Sequence, residues 1–117
     1  MLFMILIKAS KNSEAGLLPP LELREAMLRY NDKLVAAGVR DMAKGLHPSS
    51  KGMRITFGHQ GDSPVVEDGP FAEAKDTLAG FFLIDVPSKE EAVKWAMQVP
   101  DPQGFGEGQI ELRQVYE

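Results

Sequence analysis

Thr77-Leu-Ala-Gly-Phe-Phe-Leu-Ile-Asp-Val-Pro-Ser-Lys-Glu-Glu-Ala-Val-Lys-Trp-Ala-Met97 changes its hydrophobic period halfway along. Up to Val86 it has the composition of a buried strand, rich in Leu, Phe and Ile, with Gly80 as a bulge or a point of close backbone approach. From Ser88 onward it becomes helical. Ser88 and Glu91 have the spacing of a capping box, in which hydroxyl and carboxylate each satisfy an orphan backbone donor, and Ala92, Val93, Ala96 and Met97 form the stripe that follows. Pro100 lies beyond the end of this helix, and Trp95 upon it reads as a packing residue.

Working outward, Ile110 to Tyr116 alternates as a final strand, and Met1 to Ile7 is apolar without alternation, the pattern of a central strand covered on both faces. Ser10 to Leu18 reads as a connecting loop. A helix over 20–37 follows, with proline tolerated in its first turn, an apolar face of Leu23, Met27, Tyr30 and Leu34, and Gly38 as its stop. Val39 to Leu46 and Met53 to Phe57 are then expected to pair as a hairpin, while Val65-Val66 is a brief extended piece and Asp68-Gly69-Pro70-Phe71 a strong turn signal. The order βαββαβ is the ferredoxin-like α+β plan, an antiparallel sheet with two helices on one face. Strands apolar on both sides need cover on the other face as well. A second copy is the simplest cover, which predicts a homodimer pairing sheet to sheet into a dimeric α/β barrel.

Length and composition bound the rest. The 117 residues suit one domain, 1–117, and 44% apolar with 26% charged residues is ordinary for a globular chain. A net charge of −4 with scattered Lys and Arg argues against a nucleic-acid or anionic-membrane surface. Seven apolar residues ending at Lys8 make neither a signal peptide nor a membrane span, so a cytoplasmic location is expected. The absence of cysteine removes disulfides, thiolate metal sites and a thiol nucleophile.

Asp68-Gly-Pro-Phe-Ala-Glu-Ala-Lys-Asp-Thr-Leu-Ala-Gly-Phe-Phe-Leu-Ile-Asp85 resembles the signature of the DGPF branch of the YCII-related family. Ala36-Ala37-Gly38, Gly45-Leu46-His47-Pro48-Ser49, Glu91 to Ala96 and Ile110 to Arg113 are similar to the family pattern in type, order and spacing. The resemblance implies the same dimeric α/β-barrel architecture. It implies less about activity, since enzymatic roles and an association with extracytoplasmic-function sigma factors both attach to the family. A histidine at the start of the first helix belongs to the best-known YCII pattern. This chain has Pro19-Pro20-Leu21-Glu22-Leu23 there instead.

The candidate chemistry gathers near the Asp68 turn. Asp68 is either a turn-builder, with Gly69 free to take positive φ, or a site carboxylate at a pocket rim. His47, after the second strand, carries an imidazole, the side-chain type suited to acid–base work at physiological pH, and joins Asp68 as the acid–base candidate; His59 is the weaker one. Glu73 and Lys75, two apart in a segment read as extended, would project to one side and bind substrate, or form an exposed ion pair of small value. Phe71 is a core plug or a substrate platform. Two histidines twelve apart without cysteine make no zinc pattern, and no phosphate loop is present, so neither metal nor cofactor is expected. The residues fit a homodimer that binds a small molecule or performs proton-transfer or lyase-like chemistry in an acidic cleft near this turn. The alternative is a non-catalytic interaction or regulatory protein linked to sigma-factor signalling. Whether the chain is an enzyme is left open by residue types alone.

Overall fold

The computed structural model describes residues 1–117, in the order β1 (Leu2–Lys8), α1 (Lys11–Glu14), α2 (Leu21–Ala36), β2 (Arg40–Gly45), β3 (Met53–Thr56), β4 (Val65–Asp68), β5 (Leu78–Asp85), α3 (Lys89–Met97) and β6 (Ile110–Gln114). The main sheet has the order β2-β5-β1-β6 and is antiparallel throughout. With α2 and α3 on one face, this is the ferredoxin-like α+β fold expected from the sequence. β1 and β5, the most apolar strands, occupy the two central places, where both edges of each are paired.

The core lies between this sheet and the helices. Phe3 and Ile5 of β1, Phe82 and Ile84 of β5, Tyr30 and Leu34 of α2 and Ala92 of α3 are buried together. Tyr30 is the hinge of this layer. Its ring packs edge-on against Phe82 at 5.4 Å and Trp95 at 6.3 Å between centroids. Its hydroxyl donates to the Trp95 carbonyl at 2.8 Å, a second bond to an acceptor that also takes the Gln98 N–H at the end of α3. Trp95 is thus the packing residue its position suggested, and burial pushes the Tyr30 phenol upward from its usual range.

The strand connections differ from expectation in one respect. β2 and β3 do not form a hairpin: β2 joins β5 in the main sheet, and β3 pairs with β4 in a separate two-stranded sheet, with Met53 opposite Asp68 and Ile55 opposite Val66. The brief extended piece at Val65-Val66 therefore runs on to Asp68, making that residue part of a strand. The β2–β5 pairing depends on Gly80, because a Cβ there would lie 2.8 Å from the Lys44 carbonyl oxygen. This is the close approach the sequence suggested.

Two local readings are also revised. The Ser10 to Leu18 segment contains α1, held by a reciprocal cap between Ser10 and Ser13. At α3 only the serine arm of the capping box forms, with Ser88 accepting from the Glu91 N–H, while the Glu91 carboxylate faces Lys94 at 3.6 Å. The Gly/Pro-rich stretch before β6 is ordered by Asp101, whose carboxylate accepts from the backbone of Gln103, Gly104 and Gly106.

No helix is long and apolar enough to cross a membrane. The sheet face away from the helices carries Leu2, Met4 and Leu6 of β1 beside Phe81 and Leu83 of β5, with Met42 opposite Leu83. Charges stand at its margins: Lys44 opposite Phe81, and Glu111 and Arg113 opposite Leu6 and Met4. No helix covers this face.

Candidate functional site

Three residues, Leu46 to Pro48, lead from the end of β2 at Gly45 to Ser49, which opens a 3-10 turn over Ser49–Lys51. The Ser49 side chain is the fastener of the region. Its hydroxyl and its backbone N–H both donate to the Glu14 carboxylate, the latter at 2.8 Å, and its hydroxyl oxygen accepts from the Phe71 N–H at 3.0 Å. Three distant segments, at residues 14, 49 and 71, are joined through one buried serine. The Gly69 N–H adds a bond to the Gly52 carbonyl at 3.0 Å.

Gly69 is needed here for space. A Cβ at this position would fall 1.7 Å from the Ser49 carbonyl oxygen, and Gly69 is not among the residues with positive φ. The Gly69–Pro70 peptide bond is cis. The turn thus works by letting two backbones touch, whereas the sequence suggested a left-handed glycine.

Between these segments lies a cleft of about 440 Å³, bounded by the Leu46–Gly52 loop on one side and by Phe71 and Asp76 to Leu78 on the other. Its walls combine Leu46, Leu78 and Phe71 with the polar side chains of His47, Lys51, Arg54, Asp76 and Thr77. Arg54 projects from β3, with its guanidinium carbon 4.0 Å from the centroid of the Phe71 ring. Such stacking orients the planar cation through the ring quadrupole and leaves its N–H edges available.

The sequence-predicted site residues are distributed over three places. His47 and Phe71 share the cleft just described. Glu73 and Lys75 line a second depression of about 620 Å³ with Lys11 and Glu107. The segment carrying them is a 3-10 turn over Ala74–Asp76 and not extended chain, so the two-residue spacing argument does not apply. Asp68 pairs with Met53 in register, and Arg54 with Glu67, so Asp68 stands on the hairpin face opposite Arg54 and the cleft. The three ion pairs of the fold, Met1–Asp85, Glu91–Lys94 and Glu111–Arg113, do not include Asp68. His59 lies in the loop joining β3 to β4 and lines neither cavity.

The recess beside the turn and the His47 loop is lined by more cations than carboxylates, whereas the sequence suggested an acidic cleft. Lys51 and Arg54 outnumber the one carboxylate, Asp76, and the residues expected to make it acidic lie outside. Sequence reasoning passed over Glu14, Ser49, Lys51 and Arg54. Ser49 was within reach, because Gly45-Leu46-His47-Pro48-Ser49 is one of the segments that carries the family likeness. Arg54 was not, since the polar member of an alternating strand reads simply as its solvent side. No three His, Asp or Glu side chains converge as metal ligands would.

An antiparallel β2-β5-β1-β6 sheet backed by two helices, with a cleft beside an inserted hairpin, defines a ferredoxin-like α+β protein with a small-molecule-sized recess. The sequence model of the YCII-related domain matches residues 1–117. The chain belongs to the YCII-related family. An uncharacterised protein of Rhizobium meliloti (strain 1021) is 41% identical over 64 residues, a match spanning 55% of this chain and 50% of that protein. The chain thus spans about half the length of the curated relative it matches. Among solved structures, 5-chloro-2-hydroxyhydroquinone dehydrochlorinase (TftG) from Burkholderia phenoliruptrix AC1100, in complex with 2,5-dihydroxybenzoquinone, superposes with a TM-score of 0.52 over 99% of this chain and 94% of that one, at 17% identity. At that identity the likeness is one of fold.

Proposed function

We propose that this protein is a homodimeric small-molecule-binding module whose cleft, between the His47 loop and Phe71, supports lyase-like proton transfer. The observation that carries the reading is the cleft itself: about 440 Å³, within the usual range of roughly 300–1,000 Å³ for ligand sites, with apolar walls and a few converging polar groups. YCII membership and the likeness to a dehydrochlorinase holding a small quinone fit the same reading. In an elimination, His47 would take a proton from substrate carbon while the neighbouring leaving group departs with its bonding electrons as an anion. His47 carries that role alone, because Asp68, Glu73 and Lys75 lie outside the cleft.

Pairing of two copies through the open sheet face is part of the proposal. A compact monomer of this mass would have about 6,300 Å² of accessible surface. The value here is 8020 Å². The excess, about 1,700 Å², is shared by the open sheet face and the exposed β3–β4 hairpin, and it leaves room for the roughly 800 Å² each partner buries in a standard interface.

The test is titration with 2,5-dihydroxybenzoquinone followed by backbone amide NMR. Amides of Leu46–Gly52 and Phe71–Leu78 are expected to shift, and shifts confined elsewhere would remove the cleft from the proposal. Chloride release from 5-chloro-2-hydroxyhydroquinone, present in the parent and lost in His47→Gln, is the expected catalytic readout. Binding without turnover would favour the non-catalytic version. That second reading has its own support in the apolar face of the β3–β4 hairpin, where Ile55 is 48% and Phe57 78% exposed. Partner chemistry linked to sigma-factor signalling would be sought there.

A further inference from the structure

We infer that the cleft selects organic anions, specifically a carboxylate carried on a single-ring apolar body, and that Lys51 and Arg54 are the residues that select it. The inference rests on the cleft reading above and adds its ligand class.

The charge distribution carries the argument. The chain as a whole is acidic, at −4, so a cation-rich recess runs against its average. Among the residues lining the cleft Lys51 and Arg54 outnumber the single carboxylate, Asp76, and His47 adds a further ring N–H. Glu67, opposite Arg54 across the hairpin, and Glu14, engaged by Ser49, form no ion pair with either cation. Neither cation belongs to any ion pair of the fold, and neither side chain donates a hydrogen bond elsewhere in the protein. Arg54 is nonetheless held in place, by stacking 4.0 Å from the Phe71 ring centroid. A guanidinium fixed by its face presents its N–H fork edge-on, the geometry that takes a carboxylate through two parallel hydrogen bonds. Lys51 adds a point charge from the neighbouring 3-10 turn.

The remaining walls specify the rest of the ligand. Leu46, Leu78 and the Phe71 ring offer apolar contact that an inorganic anion would leave unused. The Phe71 N–H is already engaged by Ser49, and the Gly69 N–H by Gly52, so this turn supplies no backbone anion nest. Selection falls to the two side chains.

The experiment compares benzoate, its neutral isostere benzamide and inorganic phosphate, by calorimetry and by amide shifts in the parent chain. Benzoate is expected to bind about tenfold or more tightly than benzamide, a preference equivalent to one charge-assisted contact, and more tightly than phosphate. In the double variant Lys51→Met with Arg54→Met the preference should fall to within about twofold while benzamide affinity is retained. Arg54→Lys, which keeps the charge and guards against loss of fold, should restore part of it. Benzoate affinity should also weaken with added salt, whereas benzamide affinity should not. Equal binding of benzoate and benzamide, with shifts in the Leu46–Gly52 amides, would overturn the anion inference and leave the cleft reading intact. No shift in those amides with either compound would overturn both.

Discussion

At the scale of single residues, the Asp68 turn is a lesson in why a glycine and a serine stand where they do. Gly69→Ala would drive a Cβ into the Ser49 carbonyl, which neither backbone can relieve without moving the turn. A loss of about 2 kcal/mol or more is expected in urea unfolding. An unchanged midpoint would mean that the two backbones do not meet. Ser49→Ala would leave the Phe71 N–H and the Glu14 carboxylate short of a partner in a half-buried place, at a cost of about 1–3 kcal/mol. The same unfolding measurement checks it, and Ser49→Thr, which keeps the hydroxyl, should recover most of the loss. The sequence made Gly69 conspicuous but misstated its reason, because a positive φ and a crowded Cβ both demand glycine and only coordinates separate them. Glu14 was illegible for another cause. It lies 35 positions from Ser49, and no periodic pattern encodes a contact that far away.

Among elements, the helices and central strands were readable because each obeys a short-range period: apolar steps of three and four along α2, and continuous apolar runs in β1 and β5. The pairing of β2 was not. Consecutive strands are neighbours about two-thirds of the time, which favoured a β2–β3 hairpin. Here β5 offers β2 a long apolar edge, and β3 pairs instead with β4, where Ile55 meets Val66 and Thr56 meets Val65. Leu34, fully buried where α2 meets the sheet, is the keystone of this layer. Leu34→Ala should lower stability by about 2–5 kcal/mol. Tyr30 adds a pH dependence. Its folded phenol titrates above the ordinary value of about 10, so the folded state holds this proton more tightly than the unfolded chain does. The contribution is intact below about pH 10 and is lost as pH rises beyond it. Tyr30→Phe should flatten the alkaline limb of the stability profile while costing about 1 kcal/mol at neutral pH.

For the whole molecule, shape is the informative quantity. The radius of gyration is 16.0 Å, against about 13 Å for a compact chain of this length. The molecule is only 18 Å thick along its shortest axis, one sheet and one helical layer, with an uncovered face and a projecting hairpin. In the proposed dimer, Leu83 would sit near the centre of the pairing surface. Leu83→Lys should shift sedimentation from a two-chain to a one-chain species without unfolding the subunit, because its side chain faces away from the helices. If the parent chain itself sediments as a monomer at micromolar concentration, the pairing proposal fails. Hydrophobicity on both sides of the strands was visible from the start, whereas the outward hairpin was hidden until its partner strand was known.

Tyr30 and Trp95 together have a practical consequence. The chain has a single tryptophan, and one of its two tyrosines lies against it while the other, Tyr116, is fully exposed. Light absorbed by Tyr30 will therefore pass to the indole most efficiently while α2 and α3 remain seated together. Sensitised emission at the longer wavelength becomes a native optical gauge of helix separation, and the protein needs no attached dye to report when its layers come apart.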